Sequence, residues 1–215
     1  MKKSRSLNVR TLTQVALLVA LMLVLVFTPL GYIRLPLTSA TTMHIPVIIG
    51  ACMLGPGVGA FLGLFFGITS VVNATLNPSI TSFVFTPFYS FSTEFSGAWY
   101  SLVVAIVPRI LIGVVAGYVY KALHKVLKKE SIALGVAGVA GSLTNTIGVM
   151  GLIYVLFGEQ YAAALDYAAD ALLGVIMTVV GVNGVPEAII AGVLTIVVCK
   201  ALQAVYKRLG TPVRS

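Results

Sequence analysis

The stretch AWYSLVVAIVPRILIGVVAGYVYKALHKVLKK, residues 98–129, decides the fold. Residues 98–120 carry a single charge, Arg109, and as a helix they rise about 34 Å, enough to cross the hydrocarbon core of a bilayer. Four lysines follow at once: Lys121, Lys125, Lys128 and Lys129. An apolar run of this length that stops at a lysine cluster marks a transmembrane helix ending at the cytoplasmic face.

The pattern recurs on either side. Apolar runs cover 11–32, 43–54, 57–76, 132–157 and 184–206, which makes six with 98–120. Over the 215 residues 59% are hydrophobic and 9% charged, against about 25% charged in soluble domains. A soluble enzyme is therefore excluded. The expected fold is all-α, a polytopic membrane protein formed as one bundle of six transmembrane helices over 1–215, with no length left for a separate ATPase domain. A net charge of +8 would suggest a nucleic-acid partner in a soluble chain, but here placement matters more. Lys2, Lys3, Arg5 and Arg10 precede the first run, and Lys200, Lys207, Arg208 and Arg214 close the last. With the lysines after 120, these clusters hold 12 of the 14 basic residues, which puts both the N and C termini in the cytoplasm. Glu94, Glu159, Asp166 and Asp170 fall in the opposite loops.

Parity then requires residues 31–97 to begin and end outside. Within them, 43–54 and 57–76 are separated by Gly55-Pro56-Gly57-Val58-Gly59, a helix-breaking turn. Two readings stay open, two short tilted spans or a re-entrant hairpin, because twelve residues rise only about 18 Å as a helix. Two spans are favoured, with 43–54 extended outward through Thr41 and Thr42. The first 30 residues, basic and then apolar, resemble a signal peptide, but the run is long and reads as a retained span. Cys52 and Cys199 offer neither a disulfide framework nor a metal motif.

Small residues recur at helical spacing: Gly59, Gly63 and Gly67; Gly113 and Gly117; Ala16 and Ala20. Such stripes let helix backbones approach closely. The glycines are expected to pack the bundle internally, whereas Ala16 and Ala20, near a basic helix end, suit a partner protein. Residues 77–100 hold eight of the 20 aromatics, five of them Phe. An interfacial belt, which favours Trp and Tyr, or a folded loop capping an apolar cavity explains this segment.

Ionisable and amide groups inside the membrane are the functional candidates. Arg109 and Asn145 reach similar depth on adjacent spans and together offer a guanidinium fork and an amide to an anionic, hydroxylated ligand. The competing role for Arg109 is a structural pair with Glu187. With the last span opening at Gly184, Glu187 would lie about 12 Å shallower than Arg109, too far for a direct pair without a displaced helix. Asn183-Gly-Val-Pro-Glu187 reads as a helix start, with a capping residue, an early proline and a first-turn acid. Lying after the apolar 171–182, such a start would present backbone N–H groups to a ligand. Asn73, His44 and Trp99 complete the candidate ligand set, although a single buried His is more often structural. There is no Walker A motif, no G-x-S-x-G and no metal-binding spacing, so neither an enzyme nor a cofactor or metal site is expected.

The six short helices, Ala16-x-x-x-Ala20, the folded loop before the second span and the Asn183–Glu187 segment resemble the substrate-binding S component of an energy-coupling factor (ECF) vitamin transporter. The runs His44-Ile-Pro-Val-Ile-Ile-Gly-Ala51, Gly67-Ile-Thr-Ser70, Thr81-Ser-Phe-Val-Phe-Thr-Pro87, Val107-Pro-Arg-Ile-Leu-Ile-Gly113 and Gly141-Ser-Leu-Thr-Asn-Thr146 are most similar to the pantothenate-specific type. The resemblance implies a subunit of the cell membrane that binds a vitamin from outside, beneath the first and third outer loops. It further implies docking through Ala16 and Ala20 onto a transmembrane coupling subunit that carries two cytoplasmic ATPases. Pantothenate, with a carboxylate, hydroxyls and an amide, would suit Arg109, Asn145 and Asn183. The alternatives are an S component for folate, hydroxymethylpyrimidine or riboflavin, or a self-sufficient secondary transporter coupled through a mid-membrane carboxylate.

Overall fold

The computed structural model describes residues 9–34, 39–90, 92, 95–127 and 129–208. Lys2, Lys3, Arg5, Pro36, Glu94, Lys128 and Arg214 lie outside these. The apolar sequence forms helices α1 (Val9–Val26), α2 (His44–Leu54), α3 (Pro56–Leu76), α4 (Ser101–Val126), α5 (Glu130–Ala164), α6 (Leu172–Val179) and α7 (Val185–Arg208). Two short antiparallel strands, β1 (Tyr32–Arg34) and β2 (Ser39–Thr41), form a hairpin with Tyr32 opposite Thr41. The all-α expectation holds apart from this hairpin.

Several boundaries differ from the sequence reading, each for a local reason. The first span stops at Val26 instead of residue 32, because Pro29 cannot donate to a further helical turn. The outward extension of the second span is strand and bend instead of helix, since Thr41 belongs to β2. Charged side chains do not end a helix, so α4 runs through Lys121 and Lys125 to Val126. Helix α5 has 35 residues and at about 52 Å exceeds the bilayer core.

The largest correction concerns the last span. Helix continues from Leu172 to Arg208 without a break, passing through a five-residue π segment, Val180–Gly184, between α6 and α7. Pro186 has no N–H to give the Val182 carbonyl and its ring crowds that turn. Widening accommodates it: the Val185 N–H bonds to Val180 O, one residue further back than in an α-helix. Asn183 therefore caps nothing. Glu187 lies 15 residues below the start at Leu172, about 22 Å along the axis.

Five helices are long and apolar enough to cross a membrane, namely α1, α3, α4, α5 and the continuous α6–α7 unit; α2, with 11 residues, is shorter and almost wholly buried among them. The glycine stripes pack as their spacing implies. A Cβ on Gly113 would fall 2.1 Å from the Gly59 carbonyl carbon, and one on Gly63 would fall 2.1 Å from Arg109 O. Only glycine permits this approach of α3 and α4. At the opposite end from the hairpin, Tyr120 and Gln203 both donate to Glu130 Oε1, at 2.8 and 2.7 Å, joining α4, α5 and α7. Arg10 lies over the Tyr206 ring at 4.6 Å. These contacts gather Arg10, Lys121, Lys125 and Lys207 at one end of the bundle. Helix α1 is peripheral: Met22 is its one buried residue among those described, and Ala16 and Ala20 are exposed.

Candidate functional site

A polar cavity opens at the end of the bundle away from the basic clusters. The hairpin contributes Tyr32 and Thr41; α3 contributes Ser70 and Asn73; the following loop contributes Asn77, Ser79, Ser82 and Phe85. Helix α4 supplies Arg109, α5 supplies Asn145, Thr146, Val149 and Met150, and the α6–α7 unit supplies Val179, Asn183 and Glu187. Seven oxygen- or nitrogen-bearing groups on four helices thus face one space inside an apolar bundle.

Arg109 dominates its electrostatics. It lies eight residues into α4, about 12 Å below the helix start, and is 4% exposed. Nη1 donates to Val104 O at 2.7 Å, and Nη2 makes a long 3.5 Å contact to Ser70 Oγ. The guanidinium lies over the rings of Phe66 and Phe85, 5.5 and 5.3 Å from their centroids, where each cation–π contact is worth about 0.5–2 kcal/mol. No carboxylate pairs with it among the described residues, and Nε has no hydrogen-bond partner. Asn145 Oδ1 and Thr41 Oγ1 are likewise buried without partners. Buried polar atoms left open around one cavity cost about 1–3 kcal/mol each. Their clustering fits an anionic, hydroxylated guest that satisfies them together.

The cavity's roof is built from two short elements. Thr41 N donates to Glu187 Oε1 at 3.0 Å, which ties the hairpin to α7. Tyr32 OH and Thr69 Oγ1 lie 3.3 Å apart, which ties the hairpin to α3. On the other side a short 3₁₀ turn, Ile80–Val84, is closed by Ser79 N donating to Ser82 Oγ at 2.8 Å. Phe83 is buried against Phe157, ring centroids 5.8 Å apart, and Ser101 Oγ donates to Phe83 O at 2.8 Å. The Phe-rich segment is thus a folded cap that sets Phe85 against Arg109. Its outer members Phe88 and Trp99, 69% and 76% exposed, suit the belt reading instead.

Of the residues expected from sequence, Arg109, Asn145, Asn183, Glu187 and Asn73 come together in this cavity. Trp99 does not; it points away from the bundle. His44 is buried at the start of α2 with neither ring nitrogen partnered, and it does not line the cavity. The expected helix-terminus N–H groups at Asn183 are replaced by its amide in the π segment. The Arg109–Glu187 pair is absent because each has another partner. Sequence reasoning missed Tyr32, Asn77 and Ser79 as lining groups, and Ser82 was present only inside the run Thr81–Pro87. Ser70 and Thr146 were present only as the ends of the runs Gly67–Ser70 and Gly141–Thr146.

Residues 10–199 match the family described as "ECF transporter, substrate-specific component". The chain is also 38% identical over 204 residues to "Pantothenic acid transporter PanT" of Lactococcus lactis subsp. cremoris (strain MG1363), covering 94% of this chain and 96% of that protein. A transport family, together with five membrane-length helices, makes this a multi-pass protein of the plasma membrane and not an enzyme. The chain belongs to the substrate-specific components of ECF transporters.

Proposed function

We propose that this chain is a high-affinity pantothenate-binding S component. The observation that carries the reading is Arg109, a buried guanidinium lining a cavity with its Nε unpartnered and, among the described residues, no carboxylate paired with it. Arg109 takes the vitamin's carboxylate as a bidentate fork. Asn145, Asn183 and Asn73 serve its hydroxyls and amide, while Glu187 accepts from a hydroxyl and holds the hairpin. His44 and Trp99 are left without a ligand role. The 38% identity to PanT over nearly the whole chain supports the choice of vitamin.

The chain forms one domain of six spans, counting α2 with the hairpin segment before it, with both termini in the cytoplasm and the cavity at the outer face. Loaded protein docks through Ala16 and Ala20 on the exposed side of α1 onto a transmembrane coupling subunit with two ATPases. It reorients in the bilayer, and ATP hydrolysis by the partners resets it.

The test is calorimetric titration of the purified protein. Pantothenate binds tightly, and Arg109→Ala loses at least about 100-fold in affinity for it, the scale of a buried charge-assisted pair, but much less for its uncharged alcohol analogue. Heat only with folate, riboflavin or hydroxymethylpyrimidine refutes the choice of vitamin, and equal losses for acid and alcohol remove Arg109 from the carboxylate. Glu187, deeper than its sequence position suggested, also fits an ion-coupled secondary transporter. Uptake into liposomes by the purified chain without partners would establish that reading instead.

A further inference from the structure

The group that holds Arg109 is a carbonyl that its own helix cannot use. In a regular helix Val104 O would accept from the N–H of residue 108. That residue is Pro108, buried inside α4, which has no N–H to give. The oxygen it frees is the one Arg109 Nη1 bonds at 2.7 Å. The side chain folds back toward the helix N-terminus, the direction in which a helical Cα–Cβ bond already points.

We propose that Pro108 is the positioning residue for carboxylate recognition: by withholding its N–H it converts the Val104 carbonyl into the acceptor that fixes one arm of the Arg109 guanidinium. This rests on the reading that Arg109 takes the ligand's carboxylate. Nη1 lies on the Cδ side of a guanidinium, so the side-on fork consists of Nε and Nη2. The Val104 carbonyl therefore occupies the nitrogen that the fork does not need. Nε is unpartnered, and Nη2 has only the 3.5 Å contact to Ser70 Oγ. Adjacent residues in the sequence thus divide the task, one supplying the cation and the other freeing the Val104 carbonyl that orients it. A flexible arginine would be ordered at the ligand's expense, whereas this one is ordered beforehand.

The experiment is a double-mutant cycle read by calorimetry with pantothenate and with its uncharged alcohol, on the full chain in detergent or nanodiscs. Pro108→Ala restores the N–H, returns Val104 O to the helix and releases the guanidinium. It weakens pantothenate by about 3- to 10-fold, the scale of ordering one rotamer-rich side chain on binding, and leaves the alcohol unchanged. In the Arg109→Ala background the same substitution has no further effect on either ligand. Pro108 also packs near Gly148, so Pro108→Val, which keeps bulk there while restoring the N–H, is measured beside it and gives the same ratio. Equal losses for acid and alcohol, or a Pro108 effect that persists in the Arg109→Ala background, overturn the proposal and assign Pro108 to packing alone. If Arg109→Ala itself fails to discriminate acid from alcohol, the carboxylate reading falls, and this inference with it.

Discussion

Glu187→Ala isolates the hydrogen bond that, among the described residues, ties the β-hairpin to the last helix. Thr41 N donates to Glu187 Oε1 at 3.0 Å, with Thr41 8% exposed. An N–H donated to a carboxylate contributes about 1.5–3 kcal/mol net, so losing the acceptor shifts the opening equilibrium of the hairpin about 10- to 150-fold. Hydrogen exchange of the Thr41 amide in ligand-free protein reads this directly, because that amide exchanges only when the bond breaks. Its protection falls by the stated factor in Glu187→Ala, while amides in the buried middle of α3, such as that of Leu62, keep theirs. Glu187→Gln retains an oxygen acceptor and gives a smaller change, about 1 kcal/mol, the difference between charged and neutral acceptors. Pantothenate dissociation accelerates in the same order, Ala more than Gln. Unchanged protection at Thr41 in Glu187→Ala refutes the tether, whatever happens to affinity. Loss of affinity with intact protection would leave Glu187 its hydroxyl contact with the ligand alone.

Packing and docking give two further tests. In Gly113→Ala the new Cβ lies 2.1 Å from the Gly59 carbonyl carbon, so α3 and α4 must separate by more than 1 Å. The cost of about 1–3 kcal/mol lowers the midpoint of thermal unfolding by about 2–12 °C; Gly151→Ala, with open space around its Cβ, is the control, and equal midpoints refute the close-approach argument. Replacing both Ala16 and Ala20 by Leu leaves calorimetric binding intact but abolishes copurification with the ATPase subunits, and retained copurification moves the docking face off α1.

What the sequence made legible were features carried by single residues or strict spacing. Arg109 stood out as the one charge within residues 98–120, and it lines the cavity. The Gly59, Gly63, Gly67 stripe announced a helix interface because only glycine permits backbone contact at every fourth residue. The misreading at Asn183-Gly-Val-Pro-Glu187 is as instructive. Capping residue, early proline and first-turn acid are the local chemistry of a helix start. Yet a π segment satisfies the same proline inside a continuous helix, and only the packing of α6 against its neighbours selects between them. Gly184 fits against Thr146 of α5, where an added Cβ would fall 2.8 Å from Thr146 Cγ2. The roof escaped notice for a related reason. Tyr32, Ser79 and Ser82 have no periodicity that points inward, and they reach the cavity through a hairpin and a 3₁₀ turn held by contacts to helices elsewhere in the chain.

Most walls of the cavity are placed by an interruption in helical hydrogen bonding, set against the unbroken α5. Pro108 frees the carbonyl that holds Arg109, Pro186 widens the helix at Asn183, Pro29 ends α1 ahead of the hairpin, and α3 ends at Leu76 ahead of the Ser79–Ser82 turn. The other half of the bundle has one such break, Gly55-Pro56 between α2 and α3. There, glycine contacts between α3 and α4 and the Tyr120–Glu130–Gln203 junction fix the helices against one another. This division follows from the solvent. In a bilayer a helix cannot leave backbone groups unpaired, so an irregular turn survives only where side chains or a guest complete it. A chain that must bind a polar molecule within an apolar bundle therefore concentrates its prolines and bends around the site.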